Sequence, residues 1–434
     1  MTGTATLRLF WIETRRSAGL WCFPFLVLLA WFAAGQEARS GVTLWTATSQ
    51  QIAFALILAA PAAGGLAAWT AGRDRRRRIE DLLQTTPRPA LQRDLAGLGA
   101  SAAWTLAACL AVGISLGLVA FRNATWGGPL LPPIGVGLLT LLAGAAIGFV
   151  AGTLVPSRFA PPLVAVGLFL ALAVPTAAPY SRSAETGLLI PSPLLYLSPV
   201  AITEEVAYPV FFRPWPDIAG GQALMLVGIA ATSLSGLALL RRATPVAWAG
   251  LTVALATAGL GVVSLTTVGF HQGAAIPYVP ACVQHPGSVE VCLHPAYESA
   301  LETTAEVVDA VMAPLIGVPG GPRRVEQAAD RGRPARGVDP APEGTMRTFP
   351  IEADVGAQPY LAAQTVVLDL VRDRSARGGG AAGLGDAQAA LAIWLLDRAG
   401  FDGRLEDVTL TADRSLVPPG NNPAAAEADA AARH

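Results

Sequence analysis

Four side chains able to ligate a soft metal fall in one short stretch: Cys282, His285, Cys292 and His294. Thiolate and imidazole are the ligands that zinc takes most readily, so a metal centre is one chemistry open to them. Their order, Cys-x2-His and then Cys-x-His, matches no common zinc pattern. A disulfide is the other chemistry. Cys282 and Cys292 bracket a Pro286-Gly287 turn, and the alternating Ser288–Leu293 reads as a strand, so a hairpin would bring the two sulfurs within bonding distance. The disulfide is the default assignment and the four-residue metal set is the alternative. Alternation along a strand would put Cys292 and His294 on one face, which permits shared ligation without requiring it.

Hydrolytic and nucleotide chemistry find less support. His294 and Glu298 are four apart, as in part of a metalloprotease helix, but no His-Glu-x-x-His follows. The same region has Ser and Asp without a Gly-x-Ser-x-Gly elbow. The chain contains no lysine, so it has no Gly-x-x-x-x-Gly-Lys-Ser/Thr phosphate loop; Gly378-Gly-Gly reads as a flexible connection. No enzymatic activity, cofactor or nucleic-acid partner is expected.

The elements that would position the Cys/His group belong to a polar region, 270–417, with no apolar run long enough to span a membrane. It reads as a small α+β extracytoplasmic domain. Within it, Pro295–Met312 has the spacing of an amphipathic helix through Tyr297, Leu301, Val308, Val311 and Met312. Gly317–Gly344 reads as a mobile loop with Arg323 and Arg324 on a solvated surface. Thr365–Val371 reads as a core strand or helix, and Asp386–Ala399 as a helix stopped by Gly400. The Ala/Glu/Asp-rich tail, 418–434, reads as disordered.

Everything before that region is apolar. With 53% hydrophobic and 14% charged residues over 434 positions, and a mean hydropathy of +0.48, the chain calls for several membrane spans. Apolar runs place seven, at Ala18–Ala34, Gln51–Ala71, Leu95–Ala120, Ile134–Val155, Pro161–Ala178, Ile218–Leu240 and Pro245–Gly269. The expected fold class is thus an all-α polytopic membrane domain, 18–269, followed by the α+β domain. Residues 1–17 read as a cytoplasmic interfacial helix, with Trp11 among Arg8, Arg15 and Arg16. The arginines of alternate loops place the N-terminus inside and residues after Gly269 outside. Outer loop 179–217 is proline-rich and reads as short segments at the membrane surface. Pro24, Pro61, Gly64, Gly65, Gly144 and Gly148 lie within spans, and small residues there suit close helix packing. The spans hold almost no charge, which argues against an ion-coupled carrier.

One inside loop, 72–94, stands apart. Arg73 and Arg75–Arg78 lead into Ile79, Leu82 and Leu83, at the i, i+3 and i+4 spacing of a short helix with one apolar face, and Pro87 ends it. The run Arg78-Ile79-Glu80-Asp-Leu82-Leu83-Gln-Thr85-Thr86-Pro87 resembles the first cytoplasmic loop of ABC-2-type transporter permeases. That resemblance implies a coupling helix against a separate ABC ATPase subunit, a homodimer or heterodimer of permeases in the lipid membrane, and export as the activity. Arg78, Ile79, Glu80, Leu82, Leu83, Thr85, Thr86 and Pro87 would then carry ATPase coupling. In permeases of this type the loop before the last core span forms short helices at the outer mouth, the place of 179–217 here. A membrane-anchored receptor or assembly protein with an external ligand-binding domain is the alternative reading.

Overall fold

The computed structural model describes residues 3–34, 43–76, 89–177, 180–182, 189–201, 210–213, 216–267, 274–319, 321–327, 345–348, 359–371 and 386–401. The first half is helical. Helices α1 (Gly3–Arg16) and α2 (Gly19–Ala34) meet at a break with a 72° bend. The Gly19 amide donates to Ser17 Oγ at the break. There follow α3 (Trp45–Ala71), a single turn α4 (Arg73–Arg76), α5 (Ala90–Asn123), α6 (Leu131–Leu154), α7 (Ala160–Thr176), α8 (Pro216–Arg241) and α9 (Pro245–Thr267).

Among the described residues five helices are long and apolar enough to cross a membrane, α3, α5, α6, α8 and α9, and the bent α1–α2 pair makes a sixth if it counts as one span. Of the seven spans expected, five or six meet that length and apolarity among the described residues. Two of the apolar runs fold into helices of only 16 and 17 residues, α2 and α7. At about 1.5 Å per residue they reach roughly 25 Å, short of the ~30 Å hydrocarbon core. Both still turn large apolar side chains outward, Trp21, Phe25, Leu28 and Phe32 on α2 and Leu163, Val166, Phe169 and Val174 on α7. In water such surface would be costly; against lipid it is the ordinary outer face of a span.

Two helix pairs form the core of the helical part, and glycine sets both. Along α3 and α6, a Cβ on Gly137 would sit 2.8 Å from Ala53 O, and one on Gly144 2.9 Å from Ala60 O. On Gly148 and Gly152 it would run into the backbone of Gly64 and Ala68. Between α8 and α9 the same role falls to Gly221, Gly228 and Gly261, which meet Ser264, Ala258 and Met225. Small residues at four- to seven-residue steps let the backbones touch, so dispersion replaces the hydrophobic drive that lipid removes.

Short pieces of structure cap the bundle. Strand β1 (Tyr180–Arg182) pairs antiparallel with β2 (Leu189–Pro191), and a 3-10 turn, Pro193–Leu197, follows. Buried Gln222 of α8 holds that turn, donating from Nε2 to Tyr196 O at 3.1 Å and to Ser198 O at 2.9 Å. Strand β3 (Phe212–Arg213) pairs with β4 (Ala274–Ala275).

The second region is a four-stranded sheet ordered β5 (Ala281–Gln284), β6 (Glu290–Leu293), β7 (Arg324–Gln327), β8 (Thr345–Thr348). The first pair is antiparallel and the other two are parallel. A parallel step requires a crossover, which α10 (Leu301–Met312) supplies between β6 and β7. With α11 (Pro359–Val371) and α12 (Asp386–Arg398), α10 closes a core of Val291, Val325 and Met346 from the sheet and Val308, Met312, Val366 and Leu395 from the helices. Thr365–Val371 is therefore helix. The helix expected over Pro295–Met312 is divided: Pro295–Ala300 is a 3-10 turn, and Tyr297, at φ −110° and ψ 17°, interrupts helical geometry before α10. The loop expected over Gly317–Gly344 contains β7. Arg324 there pairs with Glu290 at 3.2 Å and Glu326 at 3.1 Å instead of lying free at the surface. The tail, 418–434, lies outside the described residues.

Candidate functional site

The hairpin of β5 and β6 puts Cys282 directly opposite Cys292, and the two are bonded as a disulfide with Cα atoms 4.1 Å apart. Cys282 is exposed and Cys292 fully buried. With both sulfurs committed to each other, the alternative metal set of Cys282, His285, Cys292 and His294 does not assemble. The two histidines lie in different surroundings, one on each side of β6 in sequence.

His285 sits at the turn of the hairpin, where its backbone amide donates to Ser288 Oγ. Its ring reaches across to α10: Nδ1 lies 2.5 Å from Asp309 Oδ2, and Nε2 3.1 Å from Glu302 Oε1. Hydrogen bonding to Asp309 first, and to Glu302 second, holds the imidazole above its ordinary 6.5. A histidine raised in the folded state contributes stability that is fully present below the unfolded value and is lost as pH rises through the folded one. The midpoint of thermal unfolding in detergent should therefore fall as pH rises from about 6.5, and His285→Gln should flatten that fall. Equal slopes in the two proteins would show that the pair contributes nothing to the fold.

His294 closes β6 and faces the helices. It is fully buried. Its ring stacks edge-on against Trp126 and Phe211, with centroids 4.7 Å and 5.2 Å away, and lies tilted on Tyr278 at 4.4 Å. The Ala296 amide donates to its Nδ1 at 3.1 Å, so the side chain caps the 3-10 turn, and its own amide donates to Gln327 Oε1 at 2.9 Å. Burial pushes the imidazole down to about 4. Around it, Leu44, Phe211, Leu293, Ala296 and Tyr297 form a separate apolar cluster, and Thr125 Oγ1 donates to Ala296 O at 2.7 Å. Leu44 is the N-cap of α3, and Thr125 and Trp126 follow the end of α5. The sheet therefore rests on the ends of α3 and α5 that lie away from loop 72–94.

At the opposite end, Arg78, Ile79, Glu80, Leu82, Leu83, Thr85, Thr86 and Pro87 all fall in 77–88, outside the described residues. The residues just before them are held. Arg73 Nη2 pairs with Glu13 Oε2 of α1 at 3.0 Å, and Arg75 Nη1 donates to Thr153 O of α6 at 3.1 Å. The Arg76 guanidinium lies over the Trp69 ring at 4.3 Å. Helix α1 is in turn fixed to α5, where Trp104 Nε1 donates to Thr14 O at 2.8 Å and Gly99 leaves room for Phe10. Asp94, at the start of α5, takes a two-pronged bond from Arg241 at the end of α8, 2.6 and 3.0 Å long.

Sequence reasoning did not find the His294 contact or the Glu13–Arg73 pair, because in each the partners come from distant segments. A literal Gly-x-Ser-x-Gly occurs at Gly113–Gly117, but it lies inside α5, where Ser115 Oγ donates to Val112 O at 2.7 Å. It forms no strand-to-helix elbow and presents no nucleophile. No family model, curated protein or solved structure matches this chain.

Proposed function

We propose that the chain is the membrane subunit of an ATP-driven transporter of the ABC-2 type, an exporter that works as a homodimer or heterodimer above separate ATPase subunits. The observation that carries this reading is the bracing of the arginine-rich loop. Its first turn is joined to α1 by Glu13–Arg73 and to α6 by Arg75–Thr153 O, while α1 is joined to α5 by Trp104. A push on Ile79–Thr86 from below would thus pass to three helices at once. Rigid-body coupling between two states needs that kind of connection.

Several features agree with the proposal. The chain has no phosphate loop of its own, so the energy must arrive from a partner. Arg73, Arg75, Arg158 and Arg241 gather at one end of the helices, and the positive-inside rule supports a cytoplasmic placement of that end. The sheet and its disulfide rest at the other end, in keeping with an oxidising extracytoplasmic side of a bacterial cell membrane. Counting the bent α1–α2 pair and the short α7 as spans gives the odd number, seven, that this orientation needs.

The test is charge reversal at the loop. Glu80→Lys, or deletion of Ile79–Thr86, should leave membrane insertion intact and abolish association with the ATPase and its stimulation by the complex. Unchanged ATPase binding in both variants would overturn the proposal. A receptor is the second reading, favoured by the direct seating of the sheet on α3 and α5; such a protein would keep its cytosolic partner when Glu80 is reversed.

A further inference from the structure

His294 is the place where the sheet grips the helices, and its bonding leaves no room for a second proton. Because the Ala296 amide donates to Nδ1, the neutral ring must carry its proton on Nε2. That Nε2 is buried without a hydrogen-bond partner among the described residues. The rings packed on the imidazole come from three segments, Trp126 after α5, Phe211 before β3 and Tyr278 before β5, and Gln327 of β7 accepts from the His294 backbone amide. Tyr278 is the titratable one, and its hydroxyl donates to Gln327 O at 3.4 Å. Glu298, on the 3-10 turn itself, is exposed. Among the described residues, none of the groups bonded to or stacked on the ring carries a charge.

A second proton can go only to Nδ1. There it faces the Ala296 amide, donor against donor, so the cap is lost at the moment the charge appears. The charge then lies buried without a counter-ion among the described residues, a costly state. The aromatic rings attract a cation, but they cannot give the Ala296 amide another acceptor. What the cap holds is the contact surface itself: Ala296 accepts from Thr125, and Ala296 and Tyr297 fill the cluster around Leu44.

We propose that His294 is a proton-operated latch between the sheet and the helices, protonation at Nδ1 releasing the turn Pro295–Ala300 from the ends of α3 and α5. The latch is closed when the ring is neutral and opens in acid on the side that bears the sheet. It does not depend on the chain carrying cargo; a receptor built this way would have the same acid response.

Hydrogen exchange of the full chain in detergent, read by mass spectrometry over residues 293–301 and corrected for intrinsic rates, tests it. Wild type should exchange at least about tenfold faster near pH 4 than near pH 7. His285→Gln should do the same, since it removes only the separate imidazole on the hairpin. His294→Asn keeps a capping acceptor and does not titrate, so its corrected exchange should not change with pH. An absent acid response in wild type, or an equal one in His294→Asn, would overturn the latch. Should His294→Asn fail to fold, nitrogen-15 histidine spectra of the wild type decide: protonation of Nδ1 must share its midpoint with the rise in exchange, and a mismatch rejects the proposal.

Discussion

Replacing Gly148 with valine should abolish a stably folded membrane region, because a Cβ at that position runs into the backbone of Gly64. Overpacking usually costs about 1–3 kcal/mol, when flexible side chains can move aside. Here the obstacle is main chain on the facing helix, and Gly144 and Gly152 lie on the same stripe, one helical turn away on either side. Relief therefore requires α3 and α6 to separate along much of their length. The cost should reach or exceed the upper end of that range. Gly117→Val is the matched control: its Cβ meets nothing within 4 Å, on a helix of similar character. Size-exclusion and thermal-shift measurements in detergent should show Gly148→Val aggregated or melting early, and Gly117→Val close to wild type. Equal behaviour would mean that the α3–α6 contact is not what holds the bundle.

Loss of the Cys282–Cys292 bond should destabilise the sheet region by about 3 kcal/mol. That is the chain-entropy value for a loop closed across a separation of 10 residues. The effect should be local. Among the described residues strand β5 is an edge strand that pairs with β6 alone, so the bond holds an otherwise weak hairpin and keeps His285 within reach of Asp309 and Glu302. Cys282 is exposed, and a small dithiol can reach it without unfolding the protein. Denaturant titration followed by protease protection of the sheet should shift to lower denaturant in Cys282→Ser/Cys292→Ser and in reduced wild type alike. The helical half should not change. No shift in either sample would show that the bond does not stabilise the sheet.

What was legible beforehand follows from where partners lie in the chain. The disulfide could be read because both cysteines flank one Pro-Gly turn, so local geometry suffices. The glycine stripes could be read as packing surfaces because small residues inside apolar runs have few other uses. Span counting was less legible. The apolar runs at Ala18–Ala34 and Pro161–Ala178 match α2 and α7 to within two residues at each end, but a sharp bend at Ser17 precedes one helix and Pro175 lies in the last turn of the other.

Strand β7 was hidden by composition. Arg-Val-Glu-Gln offers only one apolar residue, and it becomes a strand because β6 and β8 pair with it from both sides. His294 was read as a possible ligand because it stands two residues from Cys292. The partners that define its role are far away in sequence; Thr125 and Ala296, which fasten the same contact, are 171 residues apart. No periodicity or spacing rule reports such a meeting.

The proposal of a transporter subunit rests on the loop after α3 and on its bracing by α1, α5 and α6. Its most direct test is purification of the tagged chain from its native membrane in mild detergent, with identification of the bound proteins and an assay of ATP hydrolysis. The expected result is a stoichiometric ATPase bearing a phosphate loop, held through residues 73–93. Recovery of the chain alone, or with a regulator that hydrolyses no ATP, would contradict the account and favour the receptor.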